Sequence, residues 1–433
     1  SEVAKLRNGD FDESLIEATI NNYKMQMMRS FEENESRAML YVYSFINGAD
    51  WADEVQQLDR MSKITKQDVV DWANKYLGPE SYAIIYKREG KDPDEQKIAA
   101  PKITPIVTNR DSQSEFLTEI QNSKVEPIEP VFVDYKKDMS QFEAQKGVNV
   151  LYKKNETNDI FTLIYVFNTG TENDPALNLA FDYLSYLGTD KMSAEQIASE
   201  MYAIACSFGL SAGTNQSWIE VSGLSENMGK AMEIVEGLIA GAQPNEEILQ
   251  NLKGDMIKSR ADAKLNQSRC FGALQRYMIY GSDFIRRTTL TDPALQGLTS
   301  EQLLAKIGDL MGKQHEVLYY GPQKETEIKS ALAEHHKVAA DLQPLEKKFS
   351  ALLPTDANKV VLAQYDAKQL YYMQYSNRGE KFDLAADPQI TLYNEYFGGG
   401  MNSVVFQEMR EARGLAYTAQ ASIMQPNYAD TKY

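Results

Sequence analysis

The chain repeats itself, and that repeat constrains its fold more than any other feature. Residues 14–87 align without a gap on the stretch beginning near residue 248. Leu15 falls on Leu249, an offset of 249 − 15 = 234, and the same offset carries Ile64-Thr65 onto Leu298-Thr299. It also carries Val69-Val70 onto Leu303-Leu304, Gly78 onto Gly312, and residues 83–86 onto 317–320. Apolar residues recur at helical spacing in both copies: Ile16, Ile20, Tyr23 and Met27 in one, Leu249, Leu252 and Met256 in the other. Thr65-Lys-Gln-Asp68 and Thr299-Ser-Glu-Gln302 both read as capping boxes. Gly78 and Gly312 suit the left-handed residue that closes a helix. A short apolar strand is expected after each.

A second similarity links residues 147–213 to 358–419. Val148, Val150 and Tyr152 alternate, a polar turn follows, and then Phe161, Leu163, Tyr165 and Phe167 alternate, which predicts a hairpin with one buried face. Val361 and residues 370–375 look like its counterpart. Helices ending in Tyr186-Leu187-Gly188 and Tyr396-Phe397-Gly398 come next, then Phe208-Gly209-Leu210 and Arg413-Gly414-Leu415. The expected fold class is therefore α+β: repeated α/β units, each an antiparallel-rich sheet with packed helices. The expected divisions are the back half of a unit over 1–90, a linker over 91–130, a complete unit over 131–325, a connector over 326–350, and the front half of a further unit over 351–433. Pro101, Pro105, Pro127 and Pro130 favour extended backbone in the linker and discourage helix there. On this reading the chain is a piece of a longer protein.

Composition removes several functions. The 433 residues carry 62 acidic and 45 basic side chains, a formal net charge of −17, which argues against a nucleic-acid partner. No apolar run is long enough to span a bilayer, and Ser1-Glu2-Val3-Ala4 does not open a signal peptide. Cys206 and Cys270, in helix-like apolar surroundings, read as buried free thiols rather than a disulfide framework. The Asn-x-Ser/Thr matches at Asn34, Asn155, Asn215 and Asn266 carry no weight as glycosylation sites.

The chain has three histidines, His315, His335 and His336. Neighbours on a helix point about 100° apart, so His335 and His336 cannot share one metal ion, and a solvated helix face is expected there. No Cys-x-x-Cys, nucleophile elbow or phosphate loop is present, and Gly398-Gly399-Gly400 reads as a tight turn against a packed neighbour.

The most specific stretch runs from Glu395 through Gly398-Gly399-Gly400, Ser403, Phe406-Gln407-Glu408 and Arg410-Glu411 to Gly414-Leu415-Ala416-Tyr417. Its order and spacing resemble the insulinase/pitrilysin-like family of zinc peptidases over more than twenty residues. The resemblance implies two halves of two α/β units each, joined by a long linker. This chain would hold the end of unit two, the linker, unit three and the start of unit four. In that family the zinc motif, His-x-x-Glu-His, lies in unit one, so zinc would belong to the parent protein with its ligands upstream of this chain. At the matching positions of unit three stand Leu179, Asp182 and Tyr183, which implies no metal site here. The resemblance also implies that Arg410 and Tyr417 reach substrate across a closed chamber, donating hydrogen bonds to a peptide carbonyl. The rival reading is a surface arginine beside Glu411 and a half-buried strand tyrosine; Arg413 is expected to be solvated. Three functions follow: the substrate-chamber half of a zinc endopeptidase, an inactive family member that serves as a partner or structural subunit or a peptide-binding module, or a plain scaffold or interaction module that kept only the fold. The implied partners are a peptide or protein substrate and the missing N-terminal catalytic half. A secreted or periplasmic parent is suggested by the family alone.

Overall fold

The computed structural model describes residues 2–78, 82–90, 98–105, 112–346, 352–379 and 381–425. They fall into two compact units: Ser1–Ile16 with Lys63–Asp138, and Glu17–Ser62 with Met139–Tyr433.

In the first unit, the helix Lys66–Tyr76 opens with the expected capping box, Thr65 and Asp68 exchanging side-chain and backbone hydrogen bonds. Asn74 ties this helix to the helix Glu2–Asn8, donating to the Arg7 carbonyl at 2.8 Å and accepting from Arg7 Nε at 3.2 Å. Ala73 is fully buried. The strand expected at 83–86 is not formed, and Ile85 is 93% exposed. An isolated strand leaves its backbone groups unpaired, so extended residues without neighbours stay irregular. The linker also differs from expectation. A helix, Glu115–Asn122, sits between Pro105 and Pro127, started by Ser114, whose hydroxyl accepts from the Leu117 N–H. The prolines flank this helix rather than forbid it.

The second unit is organised by one six-stranded sheet: β1 Ser140–Gln145, β2 Val148–Lys154, β3 Ile160–Phe167, β4 Cys206–Ala212, β5 Ser217–Leu224 and β6 His315–Gly321. Its order is β1-β2-β6-β3-β5-β4. Every pairing is antiparallel except β2 with β6. The mixed α/β, antiparallel-rich class expected from the repeat is thus the fold observed. The expected β2–β3 hairpin is corrected: β6 lies between the two strands, pairing parallel with β2 and antiparallel with β3. The polar turn crosses the end of β6 instead of closing a ladder. The Asn155 N–H donates to the Gly321 carbonyl at 2.7 Å, and its buried side chain accepts from the Thr157 N–H at 2.9 Å.

The alternation itself is as expected. Val148, Val150, Phe161, Leu163, Tyr165 and Phe167 all face the core. They pack with the helices Leu177–Leu184, Met228–Gly241 and Ser300–Met311. Each large side chain contributes about 1.5–3 kcal/mol by leaving water.

The helical repeat appears element by element but not at the one gapless offset expected: the helix Ser14–Glu32 matches the helix Glu246–Lys264 at 246 − 14 = 232, and the next pair of helices starts at 267 − 34 = 233. The helix Ser300–Met311 opens with a capping box from Thr299 and Gln302, 299 − 65 = 234 residues after the first. The helix Asn34–Asn47 ends at Gly48 with φ 63°, and the helix Gln267–Thr288 kinks at Gly281 with φ 81°, within one residue of the same offset. Gly312 differs from expectation: its φ is −80°, so that helix ends without a left-handed residue. Residues 352–379 form no strand, although the counterpart of β2 and β3 was expected there. Cys206 is a buried residue at the start of β4 rather than on a helix, and Cys270 is half-buried on a helix; both are free thiols. Burial pushes the Cys206 thiol up to about 12.

Candidate functional site

The segment from Glu395 to Tyr417 is built around two short wide turns. A π-helix spans Glu395–Gly399. Gly398 passes so close to the Ala421 backbone that a Cβ would lie 2.1 Å from its carbonyl oxygen. A tight turn against a packed neighbour was expected there. Ser403, almost fully buried, then caps the next helix, its hydroxyl accepting from the Phe406 N–H at 3.4 Å. That helix is α-helical over Val404–Phe406 and π-helical over Gln407–Glu411.

The wider turn alters the expected side-chain pattern. A regular helix over 403–412 would bury Val405, Met409 and Ala412 on one stripe. Instead Val405 is half-buried, and Met409 and Ala412 are exposed. One extra residue per turn breaks the i, i+4 register on which the stripe depends.

Gly414 ends the helix at φ 59°, donating to the Arg410 carbonyl at 3.0 Å, and Leu415 donates to the Met409 carbonyl at 2.9 Å. This reversal returns Tyr417 alongside Arg410. The guanidinium carbon lies 4.4 Å from the Tyr417 ring centre and 4.7 Å from that of Phe406. Arg410 therefore lies over two rings, with an ion pair from its Nε to Glu411 at 3.5 Å. A guanidinium stacked by its faces keeps its N–H edges available as directional donors. Tyr417 is 82% exposed, and no strand forms around it. Arg413 is turned elsewhere, donating to the Glu408 carbonyl at 2.9 Å and pairing with its carboxylate.

The helix Leu177–Leu184 carries the positions matching the zinc motif. Leu179 and Tyr183 lie one turn apart and both are buried. Leu179 has no ligand atom. The Tyr183 hydroxyl accepts from the Asn245 N–H at 2.6 Å and bonds to the Ser300 hydroxyl at 2.8 Å. Asp182 is exposed and accepts from Asn178 at 3.1 Å. These residues do not fit a zinc ion, because the two positions that would converge on it are spent on the core. Among the described residues, no group of three or more His, Cys, Asp or Glu side chains could hold a metal ion.

A buried polar chain is the feature that sequence reasoning missed. His336 is not on a solvated helix face: it follows the helix Glu325–His335 as its C-cap and is 4% exposed, as is His315. His315 Nδ1 lies 2.8 Å from the Lys313 carbonyl, so this nitrogen carries the proton and donates. His315 Nε2 must then accept from His336 Nε2–H, at 2.8 Å. His336 Nδ1 lies 2.6 Å from Glu236 Oε1, a hydrogen bond that extends the chain to the helix Met228–Gly241. The rings of Tyr165 and Phe167 cover the two histidines, at 4.2 Å and 4.8 Å. Burial drives the His315 imidazole down to about 4, assisted by the neighbouring His336. The signal was present in β6: His315, Val317 and Tyr319 share one face of a period-two strand.

No family model matches the chain. An uncharacterized zinc protease of Streptomyces coelicolor is 23% identical over 266 residues, which cover 57% of this chain and 56% of that protein. The inactive domain of an M16 peptidase from Pseudomonas fluorescens superimposes with a TM-score of 0.51 at 17% identity, over 66% of this chain and 71% of that one. A protease from Helicobacter pylori gives a TM-score of 0.52 at 13% identity, over the same 66% and 71%. The chain has the insulinase/pitrilysin-like, M16 peptidase fold. It spans about half the length of the curated relative it matches. Its relatives in fold include both peptidases and an inactive domain. No helix among the described residues is long and apolar enough to cross a membrane.

Proposed function

We propose that this chain is the non-catalytic wall of a closing peptide chamber in a zinc endopeptidase, with Arg410 and Tyr417 as its substrate-facing pair. The observation that carries this reading is the stacking of the Arg410 guanidinium on the exposed Tyr417 ring, 4.4 Å apart, behind the reversal at Gly414. The two side chains together present a guanidinium edge and a phenol, both donors to a peptide carbonyl oxygen as negative charge develops on it. Zinc would supply the Lewis-acid chemistry from residues outside this chain. The division into a back half-unit over 1–90, a linker, a complete unit over 131–325, a connector and a front half-unit from 351 belongs to the same proposal.

The test is steady-state cleavage of a fluorogenic peptide by a protein joining this chain to a half that bears His-x-x-Glu-His. Tyr417→Phe should lower kcat on the order of 10²-fold, about 3 kcal/mol, with little change in melting temperature. Arg410→Ala should weaken both binding and turnover. Near-wild-type kcat/KM in both variants would return the pair to ordinary surface residues. A second reading, an inactive peptide-binding subunit, is favoured by the likeness to an inactive M16 domain. It predicts peptide binding by the assembled protein without turnover.

A further inference from the structure

An exposed arginine samples many rotamers, so a guanidinium that is to meet a substrate has to be placed by its neighbours. Arg410 is half-buried and lies over two rings, and the two are not equivalent. Tyr417 is exposed and follows the reversal at Gly414, whereas Phe406 is half-buried and sits one turn earlier in the same helix. That turn is fixed by its own cap. The buried Ser403 hydroxyl accepts from the Phe406 N–H at 3.4 Å, and the Ser403 N–H donates to the Gly400 carbonyl at 3.0 Å. The Gln407 amide donates to the Met401 carbonyl at 2.6 Å. Phe406 is therefore the anchored ring and Tyr417 the free one.

The nearby carboxylates show what the ring competes with. Arg410 Nε lies 3.5 Å from Glu411 Oε1, and Glu411 is exposed. Glu408 is already engaged by Arg413, through its carbonyl at 2.9 Å and through its carboxylate. A long ion pair in contact with water is weak. A guanidinium 4.7 Å from a ring centre gains cation–π attraction, and the ring also covers the aliphatic stem. With the Phe406 ring removed, the strongest remaining pull on the charge comes from Glu411. The guanidinium would close onto that carboxylate, and its donors would be spent inside the chain rather than on a peptide carbonyl.

We propose that Phe406 is a positioning residue whose ring holds the Arg410 guanidinium off Glu411 and beside Tyr417, with its donors free for a peptide carbonyl. This rests on the substrate-facing role proposed for Arg410 and Tyr417, and it adds a residue that acts through Arg410 rather than on substrate. The role requires an aromatic face at position 406, not merely an apolar side chain.

The test has two arms. In the 433-residue chain, the Nε–Hε proton resonance of Arg410 should be displaced by the ring beneath it. Phe406→Leu, which keeps an apolar helix former, should move that resonance toward its free-arginine position, and Phe406→Tyr should restore it. In the protein joined to a half that bears His-x-x-Glu-His, Phe406→Leu should raise KM and lower kcat/KM about tenfold at unchanged melting temperature, and Phe406→Tyr should recover the loss. In an Arg410→Ala background Phe406→Leu should cost nothing further, because the ring acts only through the guanidinium. The inference is overturned by an unmoved Arg410 resonance in Phe406→Leu, or by wild-type kcat/KM in Phe406→Leu while Arg410→Ala loses activity. It is equally overturned by a full tenfold loss added on top of Arg410→Ala, which would make Phe406 a substrate contact. Wild-type kcat/KM in Arg410→Ala, with the resonance still moved by Phe406→Leu, would sink the substrate-facing reading instead and leave Phe406 as the residue that sets the guanidinium.

Discussion

Acidification from pH 7.5 to 4.5 should weaken the sheet-bearing unit by about 2.5 kcal/mol through His315 alone. The magnitude follows from the displacement of this imidazole from 6.5 to about 4, caused first by burial beneath Phe167 and Tyr165. Because the folded value lies below the unfolded one, the unfolded chain binds the proton first as pH falls. The stability is fully present above pH 6.5, drains at up to about 1.4 kcal/mol per pH unit, and is gone below pH 4. Other groups titrate in the same range, so the difference between wild type and His315→Gln isolates the effect. Glutamine retains a donor for the Lys313 carbonyl and an acceptor for His336, but it cannot charge. Native-state amide exchange of β3 and β6 at both pH values reads the opening free energy where the ring sits. His315→Gln should be the less pH-sensitive protein by about 2.5 kcal/mol over that interval. An identical pH dependence in the two proteins, or a proton resonance of His315 titrating near 6.5, would refute the burial argument.

Other consequences are local. Tyr183→Phe strands the buried Ser300 hydroxyl and removes the acceptor of the Asn245 N–H, and should cost about 1–3 kcal/mol in denaturant unfolding. Gly398→Ala forces a Cβ into the Ala421 carbonyl, so residues 395–425 should become far more sensitive to limited proteolysis while the β-sheet stays intact. Thr299→Ala removes the hydroxyl that accepts from the Gln302 N–H and should cost about 1 kcal/mol, measured as a drop in melting temperature.

The parts of the fold legible in the sequence are those set by neighbours along the chain. Both capping boxes occupy four consecutive residues, and the buried faces of β2, β3 and β6 follow from a period of two. The pairing of β2 with β6 could not be read, because the strand that separates β2 from β3 arrives some 150 residues after β3 ends. His336 escaped for the same reason: its partner Glu236 is 100 residues away. A histidine next to Glu334 and His335 looks solvated until the distant helix is in place. The π-turns at Glu395–Gly399 and Gln407–Glu411 carry no propensity signature of their own. The contact between Arg410 and Tyr417 therefore depends on a backbone widening that spacing rules do not anticipate.

The account rests most directly on this chain contributing no zinc centre, with the matching helix spending Leu179 and Tyr183 on its core. Metal analysis of the 433-residue protein, purified without chelator and dialysed, measures that claim without reference to any substrate. The account predicts substoichiometric zinc. One tightly held zinc per chain, lost together with structure on adding a chelator, would contradict it.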